Sequence, residues 1–169
     1  MIHLNIGSNL DSNFGNKYEN ISIAVNLLIN SNIVIKKISS FYKTPSYPNK
    51  NLPKFVNIGV LIDCKNNDLD LLKKINLIEK KVGRVKSKKN SPRVCDIYII
   101  DFNGLIKKTK NLQLPHPRSH LRNFVLFPIK EIDPEWIHPI LRKNVDFLIS
   151  DLTRISRIEI TRLSKSVII

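Results

Sequence analysis

The stretch FVNIGVLIDCKNNDLDLLKKINLIEKKVG, residues 55–83, changes its period half-way along. Residues 55–64 alternate as a strand. From Asn67 onward Leu69, Leu72, Ile75, Ile78 and Val82 recur at three- and four-residue intervals, the spacing of one helical face, and Gly83 supplies a C-terminal stop. A strand followed directly by a helix is the unit from which the rest can be read. Upstream, residues 33–44 (IVIKKISSFYKT) are β-branched and aromatic, and 45–53 (PSYPNKNLP) form a loop, because three prolines cannot join a ladder. Before these, HLNIGSNL reads as a strand ending at Gly7 and Ser8, and 18–30 carry Ile21, Ile23, Ala24, Leu27 and Leu28 close to helical spacing. Downstream, VCDIYIIDF reads as a strand that ends at Asn103-Gly104, a strong hairpin signal, with a returning strand over 105–108. A turn-rich LPHPRSHLR then leads to a strand expected over 124–129, and the last thirty residues suggest no clear element. Strands and helices in the order β-α-β-β-α-β-β predict an α+β domain, its helices covering a largely antiparallel sheet. That order alone specifies no function.

The bulk composition narrows the class. A chain of 169 residues, 42% apolar, with five glycines and nine prolines, is one ordinary globular domain able to bury a core. No window approaches twenty apolar residues, and the N-terminus lacks the basic and apolar regions of a signal peptide, so the cytoplasm is the expected address. Cys64 and Cys95 have neither CxxC spacing nor nearby histidines and read as buried free thiols. The net charge of +14 favours an anionic partner, whether nucleic acid, membrane surface or nucleotide. The richness in Lys, Asn and Ile fits an AT-rich genome equally well.

The position of the charge says more than its total. Arg84, Lys86, Lys88, Lys89 and Arg93 crowd a segment with little apolar content, which reads either as a loop able to close over phosphates or as a solvated charge run. Just beyond it Asp96 opens a strand, where side chains two apart share a face. Acids at 96 and 98 would converge on one cation, but position 98 is tyrosine. Asp101, five residues on, faces the other way in a regular strand unless a bulge intervenes. His116, Arg118, His120 and Arg122 gather in a proline-framed loop that suits either an anion site or a capped turn.

Taken in order, NIGSNL, SSFYKTPS, FVNIGVL, IEKKVGR, SPRVCDI, LPHPRSHLRNFVLFP and EIDPEWIHP closely resemble the 6-hydroxymethyl-7,8-dihydropterin pyrophosphokinase family of folate biosynthesis, over residues 1–139. The resemblance implies a ferredoxin-like α+β fold and transfer of diphosphate from Mg-ATP to the pterin, with AMP released. Matched position by position, Thr44, Pro45, Phe55, Asn57 and Phe124 fall on the pterin pocket. Glu79, Lys86, His116 and Arg122 fall on the ATP site, Arg84 and Arg93 on the catalytic loop, and Asp96 on the Mg²⁺ site. Three departures stand out: no tryptophan between Arg84 and Arg93, lysine at 86 where arginine is frequent, and Tyr98 in place of the second acid of an Asp-x-Asp pair. The last puts turnover in doubt. Residues 140–169 lie beyond the match and are expected to form an extension packing on the domain. The expected partners are ATP and the pterin, for a monomer without nucleic-acid or membrane partners. A catalytically impaired pterin- and ATP-binding relative, and a nucleic-acid-binding module using the same basic loop, are the competing readings.

Overall fold

A computed structural model describes residues 1–85 and 91–168. Its elements are β1 (Ile2–Ser8), α1 (Lys17–Asn30), β2 (Val34–Ile38), β3 (Tyr42–Thr44), β4 (Phe55–Asp63), α2 (Asp68–Lys81), β5 (Asp96–Phe102), β6 (Lys107–Lys108), β7 (Gln113–Leu114), α3 (Asn123–Ile132), α4 (Val145–Asp151), α5 (Arg154–Ile158) and β8 (Thr161–Arg162). The main sheet runs β5-β1-β4-β3-β8, with β2 pairing the far end of β4, and every pairing described is antiparallel. This is the expected ferredoxin-like α+β arrangement. Each long helix starts where a side chain replaces a missing bond: Asn16 and Glu19 form a capping box on α1, and Asn67 accepts from Leu69 N and Asp70 N on α2. Gly83 ends α2 at a φ of +104°, a conformation that favours glycine.

One face of the sheet presents Leu4, Ile6, Val56, Ile58, Ile97 and Ile99 to Ile21, Ala24 and Leu28 of α1 and to Leu71, Ile75 and Ile78 of α2. The α2 stripe is the expected one at Ile75, Ile78 and Val82, with Leu72 packed at its edge, but its first member is Leu71, whereas Leu69 is 42% exposed. The other face presents Tyr98 and Ile100 to Val125, Leu126 and Ile129 of α3 and to Val145 and Leu148 of α4. Both faces are thus covered by helices.

Three expectations are corrected. The strand expected over 124–129 is the middle of α3; its buried Val125, Leu126, Ile129 and Ile132 lie at helical spacing, but a short apolar run holding Pro128 does not distinguish helix from strand. Pro128 has no N–H for the carbonyl of Phe124, which instead accepts from Asn5 Nδ2 at 2.8 Å. Gly59 lets this helix approach, since a Cβ there would lie 2.9 Å from Pro128 Cβ. Second, Asn103 and Gly104 make the tight turn with positive φ, yet the returning strand shrinks to Lys107–Lys108 and pairs with β7 rather than β5. Third, the β1–β5 register jumps between Leu4↔Ile99 and His3↔Asp101. That irregularity turns Asp101 to the face of Tyr98, not away from it.

Candidate active site

A cleft of about 390 Å³ opens on the α3 face of the sheet, where the ends of β1, β3, β4 and β5 meet the start of α3. Thr44, Pro45, Phe55, Asn57 and Phe124 line one half, and Arg93, Asp96, Tyr98, Arg118 and Arg122 line the other. Thr44 ends β3 opposite Phe55, and Asn57 pairs in register with Gly7 of β1, so three strands fix these side chains. Gly7 keeps the floor open, since a Cβ there would lie 2.4 Å from Asn57 Oδ1. The Asn57 Nδ2 donor is buried without a partner among the described residues, a cost that a ligand acceptor would remove.

The charged half centres on Asp96, which is 4% exposed. Its Oδ2 accepts from Arg93 NH1 at 2.5 Å and from the Tyr98 hydroxyl at 3.2 Å. Arg84 NH1 lies 2.8 Å from Oδ1 but outside hydrogen-bond geometry, leaving that oxygen without a hydrogen bond among the described residues. Arg84 also pairs with Glu79, whose Oε1 accepts from Ile97 N at 2.7 Å and so ties α2 to β5. Glu79 is buried, and burial raises its carboxyl above the usual carboxylate range. Arg122 stacks its guanidinium 5.5 Å from the centre of the Tyr98 ring and 5.4 Å from that of Phe124. His116 sits behind, its ring 5.2 Å from that of Tyr98 and its Nε2 3.4 Å from Arg122. Burial first, then the charges of Arg122 and Arg118, push its imidazole down to about 4. Lys86 lies outside the described residues.

One Mg²⁺ fits these residues better than two. Among the described residues Asp96 Oδ1 is a buried carboxylate oxygen accepting no hydrogen bond, suited to an ion that also takes oxygens from phosphates and water. Beside it stands a phenol, which burial and then the Asp96 charge hold above its ordinary range and hence neutral. Among the described residues no three His, Cys, Asp or Glu side chains gather into a metal cluster. Arg118, expected in the proline-framed loop as part of an anion site or a capped turn, lines the cleft, and so do Tyr47, Ser156 and Glu159, which no motif in the sequence singles out. The last two come from the region without readable periodicity.

A model of the 7,8-dihydro-6-hydroxymethylpterin-pyrophosphokinase (HPPK) family matches residues 3–134. The chain belongs to this family. It is 34% identical over 142 residues to the 2-amino-4-hydroxy-6-hydroxymethyldihydropteridine pyrophosphokinase of Aquifex aeolicus, covering 84% of this chain and 86% of that protein. It is 38% identical over 141 residues to the folic acid synthesis protein FOL1 of Dictyostelium discoideum, covering 83% of this chain but 21% of that protein. Among solved structures, wild-type HPPK-DHPS of Plasmodium falciparum superposes with a TM-score of 0.69 at 17% identity, over 95% of this chain and 47% of that one. At that identity the likeness speaks for the HPPK fold alone. The chain thus spans about a fifth of the Dictyostelium protein and about half of the Plasmodium chain.

Proposed function

We propose that the chain transfers a diphosphate from Mg-ATP to the hydroxymethyl group of 6-hydroxymethyl-7,8-dihydropterin, releasing AMP in folate biosynthesis, and that Tyr98 keeps its turnover low. The observation that supports this most is a single cleft with two unlike halves. One is a slot with Phe55, Phe124 and the unpartnered Asn57 amide; the other is a cluster of arginines around one carboxylate. Family membership supplies the chemistry that such a cleft suits.

In this reading the two phenylalanines hold the flat pterin ring and Asn57 pairs with its polar edge. Thr44 and Pro45 close the slot. Arg93, Arg122 and His116 hold the nucleotide's phosphates, with Arg84 alongside and Glu79 positioning it against β5. The pterin hydroxyl oxygen attacks the β-phosphorus, its proton passing to solvent, as the bond from that phosphorus to the AMP oxygen breaks. Positioning and charge neutralisation carry most of such a reaction. For ATP to enter, Arg84 and Arg93 must turn from Asp96 to the phosphates, which exposes Asp96 to the metal. Mg²⁺ bound by Asp96 and the phosphates would supply Lewis-acid neutralisation. Lys86 belongs to the same nucleotide-binding proposal.

The second reading, an impaired relative that binds pterin and ATP with little turnover, is favoured by Tyr98 itself. RNA binding by a ferredoxin-like sheet uses an open face bearing aromatics, and here helices cover both faces. A pyrophosphokinase domain over 1–139 with an extension over 140–169, acting as a cytoplasmic monomer, completes the proposal. The test is AMP release from Mg-ATP with and without 6-hydroxymethyl-7,8-dihydropterin. Slow, pterin-dependent release is expected; release that ignores the pterin, or none together with no pterin binding, overturns the reading.

A further inference from the structure

Residues after 139 return to the cleft. Leaving α4, the chain forms the one-turn α5 and then β8, whose Thr161 and Arg162 pair with Lys43 and Tyr42 of β3. Arg162 also reaches Glu131 of α3 at 2.9 Å. This pairing sets β8 beside the strand that ends at Thr44, just where the proline-rich loop 45–53 departs. Glu159, two residues before β8, is consequently held against that loop. Its Oε1 accepts from the Tyr47 hydroxyl and its Oε2 from Lys50 Nζ at 3.2 Å. The Lys50 ammonium lies 5.2 Å from the centre of the Tyr47 ring, closing a three-residue cluster.

The loop is tied in two places of different kind. At its base Ser46 Oγ donates to Pro53 O at 2.6 Å, and Asn9 Nδ2 donates to both Ser46 Oγ and Pro53 O. Its tip depends on the C-terminal segment. Among the described residues, the only hydrogen bonds from residues 47–52 to the rest of the chain are those to Glu159. The opposite wall is held by the same segment, because Asn123 Nδ2, next to Phe124, donates to Ser156 O at 2.6 Å. Ser156 and Glu159 themselves line the cleft. The single turn of α5 therefore bridges the wall that carries Phe124 and the loop that carries Pro45 and Tyr47.

We propose that Glu159 is a positioning residue for the pterin slot, acting through Tyr47 and Lys50 to hold the tip of loop 45–53 against the C-terminal segment, so that this segment sets pterin affinity without touching the nucleotide. The inference rests on reading the cleft as a pterin site. A loop already held spends less of its interaction on being ordered when ligand arrives, so loosening it weakens pterin binding selectively. Thr44 remains fixed by β4 whatever happens at Glu159, which limits the effect to part of the slot.

The test is a double-mutant cycle read by calorimetry, titrating 6-hydroxymethylpterin into protein saturated with Mg²⁺ and a non-hydrolysable ATP analogue. Glu159→Ala and Tyr47→Phe should each weaken pterin binding roughly three- to tenfold. The double variant should lose no more than the worse single one, because both remove the same contact. Glu159→Gln, which keeps an acceptor for the Tyr47 hydroxyl, should recover most of the loss, and analogue affinity should stay within twofold throughout. Tyr47→Phe alters only a half-exposed loop residue, so it tests the tie even if Glu159→Ala fails to fold. Variants that bind pterin like the unmodified protein, losses that multiply, or an equal loss of analogue affinity overturn the proposal and leave the pterin reading standing. An unmodified chain that takes up no pterin overturns both.

Discussion

Tyr98→Asp is expected to raise Mg²⁺-dependent AMP formation strongly while lowering the stability of the ligand-free protein. Position 98 is two residues from Asp96 on the same face of β5, and its hydroxyl already contacts Asp96 Oδ2 at 3.2 Å. A carboxylate there would look onto the same space. Metal neutralisation of developing phosphate charge contributes several kcal/mol, and each 1.36 kcal/mol is tenfold in rate, so a gain of roughly 10²–10⁴ follows. Against this, the ring would lose its edge contact with His116 at 5.2 Å and its stacking under Arg122 at 5.5 Å. Each contact contributes about 0.5–1.5 kcal/mol. The new carboxylate would also repel Asp96, an effect that Arg84 and Arg93 partly offset. The net cost is about 1–3 kcal/mol, or a fall in Tm of roughly 2–10 °C for a chain of this length. The assay is AMP release against Mg²⁺ concentration, paired with thermal melts in the presence and absence of Mg-ATP. Tyr98→Phe, which removes only the hydroxyl, is the control and should gain nothing. Brisk turnover by the unmodified chain, or an unchanged rate in Tyr98→Asp, would refute the assignment of position 98 to the metal site.

Three further outcomes test other parts of the cleft. Phe55→Ala should weaken pterin binding by about 1–3 kcal/mol, roughly five- to 150-fold, with ATP-analogue affinity unchanged by calorimetry. Arg93→Ala should weaken the analogue by roughly ten- to 100-fold, as expected for a lost hydrogen bond to a charged group, whereas Lys36→Ala on the exposed β2 should leave it within twofold. His116 is neutral in the fold down to about pH 4, while its unfolded value is near 6.5. Between those values the unfolded state holds the extra proton, so His116 lowers stability as pH falls through that window, by at most about 1.4 kcal/mol per unit. Urea midpoints at pH 7 and 5 should therefore fall less in His116→Gln than in the unmodified chain; equal falls would remove His116 from the account.

The sequence reveals helices where caps and stripes coincide. Leu72, Ile75, Ile78, Val82 and Gly83 announce α2 in order, and the error is confined to its first turn, where Leu71 rather than Leu69 is buried. It misleads where the deciding interaction is distant. The helix α3 carries Pro128 in its middle, and the hydrogen bond that completes the broken turn comes from Asn5, some 120 positions away and invisible to any local window. The segment α5 buries none of its residues, so no periodicity marks it; it is located by the pairing of β8 with β3. The site residues arrive from β3, β4, β5 and the start of α3, and composition alone could not have assembled them. Their grouping was legible through ordered motifs that resemble a family, and the tail residues Thr153, Ile155, Ser156 and Glu159, which also line the cleft, were missed because they lie outside those motifs.

Asp101 shows how a strand can invert its own pattern without bringing a second carboxylate to Asp96. Counting by twos from Asp96 places Asp101 on the opposite face, and the register jump opposite His3 reverses that parity. The acid so delivered is nevertheless engaged elsewhere. Asp101 Oδ2 accepts from Trp136 Nε1 at 2.8 Å and Oδ1 from Gly104 N at 2.8 Å, at the far end of β5. Five positions at about 3.3 Å each put it roughly 16 Å from Asp96 along the strand, several times the span of one ion's coordination shell. The irregularity therefore serves the buried Trp136 end of the second core, and the carboxylate absent at position 98 has no substitute further along β5.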